Sequence, residues 1–320
     1  MQTKQHPRST EITAYGPGYY DLPVLKRPHW KWEIALYFWA GGVAAGAYLI
    51  AAIADIFGDE CDRPAVKAGR LLALPLVLLC PLLLIKDLGR PEKFYNMLRI
   101  VKIKSPMSAG SWGLFLFGGF TGLSALLELL ARGDELRGAR RLLALVGAPF
   151  GLFIGGYTGV LLSATAIPIW AKNRLLWGPT FIASAYSTGI SAIVALLAFS
   201  PRTDPRTLER LERAHVLGLT AEAGLLATSL VRLGGAGKPL TRGRWASLFL
   251  PGAVGLGIAL PLLLDFRSRP AAPSRGSSFL RAACVLLGSL VFRTCVVYAG
   301  KDSADDAPAY FALTRRNGRH

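Results

Sequence analysis

Three groups of side chains in this 320-residue chain have types and spacings that could do chemistry. The first is ionisable. Glu222 lies in the middle of an apolar run, and His215 precedes it by two helical turns on the same face. Arg293 interrupts another apolar run, and Asp55, Glu128 and Asp265 stand at the ends of theirs. A charge placed inside a membrane segment is costly and marks either a polar pathway or a buried ion pair. Both readings stand for Glu222 and Arg293: a proton relay, or a structural pair. For Asp55, Glu128 and Asp265, and equally for His215, plain interfacial solvation competes with the relay.

The second group is aromatic and polar. It runs Pro28-His29-Trp30-Lys31-Trp32-Glu33, then Tyr37-Phe38-Trp39, and has a distant counterpart in Tyr157-Thr158. Trp and Tyr at a membrane entrance form an interfacial belt. The same residues suit a quinone headgroup, which needs aromatic walls and donors for two carbonyl oxygens. His29 or Lys31 would serve one oxygen and the Tyr157 hydroxyl the other. The third group is a signed, Gly- and Pro-marked loop, Lys86-Asp87-Leu88-Gly89-Arg90-Pro91-Glu92-Lys93-Phe94, followed by Ser105-Pro106-Met107-Ser108-Ala109-Gly110-Ser111-Trp112-Gly113. Its charges read as a solvated face or as a docking platform for something outside the bilayer.

The elements that must position these groups follow from composition. The chain is 52% hydrophobic and 18% charged, with a mean hydropathy of +0.38, which is outside the range of ordinary soluble domains. Its apolar residues fall into eight runs, at 33–57, 68–85, 110–130, 142–168, 179–199, 211–233, 245–264 and 279–299. Each is close to the roughly 20 residues a helix needs to cross hydrocarbon. None alternates with period two, so a barrel is excluded. An all-α integral membrane protein of eight transmembrane helices is expected, with an extramembrane arm at 1–32, the membrane domain at 33–300 and a polar tail at 301–320. The first run is too long for the core of a cleavable signal. Pro75, Pro81, Pro168 and Pro261 are expected to kink or end their helices. The glycines of the first and fourth runs read as close-packing positions. No internal repeat stands out.

The net charge of +17 resides in the loops and suits anionic lipid headgroups or an acidic protein partner. Of the 37 Lys and Arg, 21 lie on the side of the termini and 15 on the other, a bias toward cytoplasmic termini. Haem is not expected: of four histidines, His6, His29, His215 and His320, two lie in the tails, so paired intramembrane ligands are lacking. Cys61, Cys80, Cys284 and Cys295 have no C-x-x-C spacing, so neither an iron–sulfur cluster nor a zinc site is expected. Phosphate-loop, nucleophile-elbow and H-E-x-x-H motifs do not occur.

Trp32-Glu33-Ile34-Ala35-Leu36-Tyr37-Phe38-Trp39-Ala40-Gly41-Gly42, Asp87-Leu88-Gly89-Arg90-Pro91-Glu92-Lys93-Phe94, the Ser105–Gly113 segment and Gly156-Tyr157-Thr158-Gly159 together resemble the NrfD/polysulfide reductase membrane-subunit family. The motifs cover about residues 28–200. The resemblance implies two four-helix bundles in one multi-pass chain of a bacterial or archaeal cytoplasmic (inner) membrane. It implies a subunit without its own cofactor that exchanges electrons between the quinone pool, menaquinone or ubiquinone, and a ferredoxin-like four-cluster iron–sulfur partner. A molybdopterin catalytic subunit or a multihaem cytochrome completes such complexes. It implies a quinone pocket at Tyr157, with His29, Lys31, Trp32 and Thr158 around it, and a partner-docking loop carrying Asp87, Arg90, Glu92, Lys93 and Arg99. Asp87 and Arg90, three apart, are expected to clamp each other. Asp55, Glu128, His215, Glu222 and Arg293 are the candidate proton route. The resemblance also places the N-terminus outside the cytoplasm, against the charge bias. A structural anchor without quinone chemistry and a secondary transporter are the rival readings.

Overall fold

Lipid offers the backbone no hydrogen bonds, so each spanning segment must satisfy its own polar groups by coiling into a helix. The computed structural model describes residues 25–102, 104–130, 136–200, 203–267, 274–306 and 309–311. Most of the expected arm (1–24), much of the expected tail (307–308 and 312–320), and His6 and His320 with them, lie outside the described residues. Among the described residues, eight helices are long and apolar enough to cross a membrane, and there is no strand. They are α1 Trp32–Phe57, α2 Arg63–Asp87, α3 Pro106–Leu130, α4 Arg137–Ser163, α5 Trp177–Ala198, α6 Pro205–Leu233, α7 Ala246–Phe266 and α8 Arg275–Ser303.

Among the described residues, two spanning helices are opened by a polar side-chain cap. The Asp204 carboxylate accepts from the Arg206 amide at 2.8 Å to open α6, and the Ser274 hydroxyl accepts from the Ser277 amide at 3.3 Å to open α8. Helix α4 stops at Ser163, short of the expected 168. Pro168 instead opens a separate short helix, Pro168–Lys172, in the first turn, where a missing N–H is harmless. Pro75 and Pro81 stay inside a continuous α2, as membrane helices tolerate. In α7 the backbone widens into a π-helix over Phe249–Ala259, just before Pro261.

Helix α1 packs on α2, α4 and α5, and α3 packs on α2 and α4. In the second half α5 packs on α6 and α8, and α8 on α7. Two four-helix bundles result, joined where α1 meets α5. There the backbones touch: a Cβ on Gly46 would collide with the Ala185 carbonyl, and one on Gly189 with the Gly46 backbone. Because the helices alternate in direction, one face of the molecule carries the starts of α1, α3, α5 and α7 and the ends of α2, α4, α6 and α8. This is called the N-terminal face below; the other is the far face.

Buried ion pairs tie each bundle at the far face. In the first, Arg70 of α2 (1% exposed) donates to Asp55 of α1 at 2.8 Å, to Glu128 of α3 at 2.9 Å, and to the Arg140 carbonyl of α4 at 3.3 Å. In the second, Arg281 of α8 donates to Asp265 of α7 at 2.6 Å and to Glu212 of α6 at 2.7 Å. An acid at the end of the third helix, Glu128 or Asp265, is thus held in both halves, by Arg70 of the second helix in the first and by Arg281 of the fourth in the second.

Candidate functional site

At the N-terminal face, side chains of α1, α2, α3 and α4 converge. Tyr157 is buried in the glycine-rich stretch of α4 and donates its hydroxyl proton to the Pro106 carbonyl at 2.6 Å. Its ring fills the space that a side chain at Gly110 would need, and it stacks obliquely on Phe153 with 5.2 Å between centroids. Thr158 is buried beside it. On α1, Glu33, Tyr37 and Gly41 follow one another at one-turn intervals along a single stripe. Tyr37 is fully buried, within electrostatic reach of Cys80 and Tyr157. Glu33 is 5% exposed; its Oε1 lies 3.5 Å from the Lys86 ammonium, and its Oε2 is buried without a hydrogen-bond partner.

His29, Lys31 and Trp32 sit above this site on the exposed surface. Trp32 takes the Lys86 ammonium over its ring at 4.4 Å. Among the described residues, no hydrogen bond or ion pair joins His29, Lys31 or Trp32 to Tyr157 or Thr158. Trp30 turns instead toward α8: it stacks on Trp170 at 5.2 Å, with its carbonyl held by Lys301 at 2.9 Å. The sequence offers Glu33 and Tyr37 only as members of the aromatic and polar run and does not single them out as site residues. Their one-turn spacing on a single stripe was the available signal.

The signed loop packs on α2 and α3 and leads into Pro106, whose carbonyl holds Tyr157. It forms a 3-10 turn at Pro91–Lys93 and a short helix at Asn96–Arg99. Ser108 closes it, accepting from the Lys102 amide at 3.0 Å and donating to the Ile100 carbonyl at 3.2 Å. Arg90, Glu92, Lys93 and Arg99 are exposed, and none of them is in an ion pair among the described residues. Asp87 does not clamp Arg90. It is half-buried, within electrostatic reach of Glu33, Lys31 and Lys301, because α2 runs through to Asp87 and aims it at the start of α1. Beneath the loop a cleft of about 500 Å³, apolar but for Ser111, opens between α2 and α3, walled by Val77, Leu84, Phe94, Met97, Leu98 and Phe115.

A second polar assembly occupies the other bundle. Arg293 is wholly buried at mid-membrane. It donates to Ser184 of α5 at 3.0 Å and to Ser289 at 2.7 Å, while its Nε and Nη2 have no hydrogen-bond partner. It lies against α1, where a Cβ on Gly42 would come within 2.5 Å of Nη2. Glu222 of α6 faces Ser184, Ser187 and Arg293. Toward the far face, Ser191 donates to the Ser187 carbonyl at 2.8 Å and shares a hydrogen bond with His215 Nε2 at 3.0 Å. His215 Nδ1 lies 3.8 Å from Asp265, whose second oxygen is held by Arg281. A cavity of about 10 Å³, room for one water, is lined here by Ser191, Glu212, His215, Asp265 and Arg281. Polar groups thus run from mid-membrane to the far face through α5, α6, α7 and α8. Asp55 and Glu128, in contrast, lie in the other bundle, paired with both Arg70 and Arg63.

Among the described residues no three His, Cys, Asp or Glu side chains converge to hold a metal ion, and the four cysteines are free. Residues 25–303 match the family model described as polysulphide reductase, NrfD. The polysulfide reductase C subunit of Wolinella succinogenes is 32% identical over 303 residues, which cover 85% of this chain and 94% of that one. Protein NrfD of Escherichia coli is 27% identical, covering 85% and 95%. The Hdr-like menaquinol oxidoreductase integral membrane subunit of Archaeoglobus fulgidus is 24% identical over 171 residues, covering 52% of this chain and 41% of that one.

Proposed function

We propose, from the premise that this chain belongs to the polysulphide reductase NrfD family, that it is the quinone-reactive, multi-pass inner-membrane subunit of an oxidoreductase complex. Its substrate is a menaquinol or ubiquinol, and its partner is a ferredoxin-like iron–sulfur protein that carries electrons to or from a separate catalytic subunit. One observation carries this reading. The buried Tyr157 hydroxyl is bonded to Pro106, the first residue after the exposed basic loop. A headgroup that displaces the Pro106 carbonyl from Tyr157 therefore sits immediately beneath the surface where a partner would dock.

The chain's own residues then divide the work. Tyr157 donates to one headgroup oxygen, and Phe153, Tyr37 and Thr158 wall the ring. His29, Lys31 and Trp32 form the rim on the surface above. Arg90, Lys93 and Arg99 present positive charge to an acidic partner, which speeds association and fixes its orientation. In the oxidative direction a quinol releases two electrons, taken singly by the partner's clusters, and two protons. For proton movement across the membrane, Glu222, Arg293, His215 and the serines between them supply a path from the far face to mid-membrane, while Asp55 and Glu128 anchor the first bundle.

The test is quinol oxidation by the purified complex carrying Tyr157→Phe. Loss of one hydrogen bond to the headgroup, worth about 1 kcal/mol or more in a dry site, is expected to lower turnover at least fivefold. Unchanged turnover would remove Tyr157 from the site, and a complex that neither binds nor oxidises quinol would remove the reading.

A further inference from the structure

Glu33 is a carboxylate that its surroundings leave half satisfied. It sits at the head of α1, and only one oxygen has a cationic neighbour, Lys86, at 3.5 Å. That lysine is 59% exposed and also lies over the Trp32 ring, so its hold on Glu33 is loose and open to water. The other oxygen, Oε2, is buried and makes no hydrogen bond. A buried carboxylate oxygen without a donor is costly in a structural role. It is the expected arrangement for a group that takes up and gives off a proton.

The neighbours complete the case. One turn deeper on the same stripe is Tyr37, within electrostatic reach of Tyr157. Outward are Lys86 and Asp87 from α2, Lys31 preceding α1, and Lys301 from α8, whose ammonium is bonded to the Trp30 carbonyl. Glu33 therefore stands at the boundary between a buried phenol pair and a charged, wetted surface.

We infer that Glu33 is the proton-exchange group of the quinone site, passing protons between a bound headgroup and water at the N-terminal face by way of Lys86 and Asp87. The inference rests on the function proposed above. In quinol oxidation, each headgroup O–H bond that breaks gives its proton to Glu33 Oε2, with Tyr37 between them. The resulting carboxylic acid then loses that proton to water beside Lys86 and Asp87. The two electrons leave separately, to the partner's clusters. In quinone reduction the same steps run in reverse.

The experiment uses the whole complex and three variants, Glu33→Gln, Glu33→Asp and Lys86→Ala, with a soluble-tail quinol as probe. Turnover is followed against pH, and bound quinone is measured after purification. Glu33→Gln is expected to keep its bound quinone, lose at least tenfold in turnover, and lose the rise in rate with pH on the acid side, because Gln cannot accept a proton. Glu33→Asp restores that pH limb. Lys86→Ala lowers the rate less than threefold. Glu33→Gln with the unaltered rate and pH profile would overturn the inference. So would Lys86→Ala and Glu33→Gln losing activity equally with the profile unmoved, which is the behaviour of a simple surface ion pair. If the unaltered complex binds no quinone, the function proposed above fails and the inference with it. If Tyr157→Phe and the unaltered complex behave as expected while Glu33→Gln does not, the inference alone fails.

Discussion

Tyr157 is held in place by what Gly110 lacks. The ring lies where a side chain at 110 would go, and the hydroxyl is committed to Pro106. Any Cβ at 110 must therefore move the donor. Gly110→Ala is expected to cost about 1–3 kcal/mol of stability through overpacking and to lower quinol turnover about as much as Tyr157→Phe; activity per mole of folded complex separates the two effects. Arg70 allows a sharper stability test. Arg70→Met leaves Asp55 and Glu128 with only the longer contacts to the partly exposed Arg63, 3.4 Å each, and to Arg140, 4.0 Å from Glu128, at a cost of about 3 kcal/mol, read as a lower unfolding midpoint in detergent. Adding Asp55→Asn and Glu128→Gln should recover most of the loss. The sequence made some of these residues visible and hid others. Tyr157, Glu222 and Arg293 stand out because a hydroxyl or a charge in an apolar run is conspicuous by itself. Glu33 and Tyr37 do not, since one reads as the edge of a run and the other as a belt aromatic. Their meaning depends on Lys86, which α2 returns to the start of α1 from more than fifty residues away, and no local pattern encodes that encounter.

At the scale of elements, run length sufficed to find all eight spans, because only a helix of about 20 residues meets the demands of the bilayer. Departures came where a proline's effect depends on its setting. Pro168 starts a helix instead of ending one, and α7 widens into a π-helix ahead of Pro261. The signed loop shows a similar limit. Its charges were plain in the sequence, but the expected Asp87–Arg90 clamp is replaced by Ser108 bridging Ile100 and Lys102. Arg90 is thereby left to face outward. Reversing Arg90, Lys93 and Arg99 to Glu should weaken retention of the proposed iron–sulfur partner during purification and abolish the salt sensitivity of association. At physiological ionic strength, screening acts over about 8 Å, so only a partner seated directly on the loop would respond. Equal retention by both forms across a salt series would place the partner elsewhere.

The whole molecule joins a bundle with the proposed headgroup site near one face to a bundle with a polar column toward the other. They meet where Arg293 of α8 presses on Gly42 of α1, at mid-membrane. Gly42 follows directly on the Glu33–Tyr37–Gly41 stripe, so a shift of α1 on binding a headgroup would be felt by Arg293 and, through it, by Glu222. The two bundles need not contribute to the same measurement. On the proposed function, quinol oxidation in detergent, with protons released at the N-terminal face, requires only the first. Uptake from the far face requires the second, by way of His215 and Ser191. Glu222→Gln and His215→Phe are therefore expected to leave detergent turnover within about twofold. In sealed vesicles holding the complex and a trapped pH dye, each variant should lose the proton uptake at the far face that accompanies turnover in the unaltered complex, while electron transfer continues. If the unaltered complex moves no protons from that face, the column is only an ion-paired support for α6, α7 and α8. If the variants lose detergent turnover as well, the column is part of the redox site and the division between the bundles is wrong.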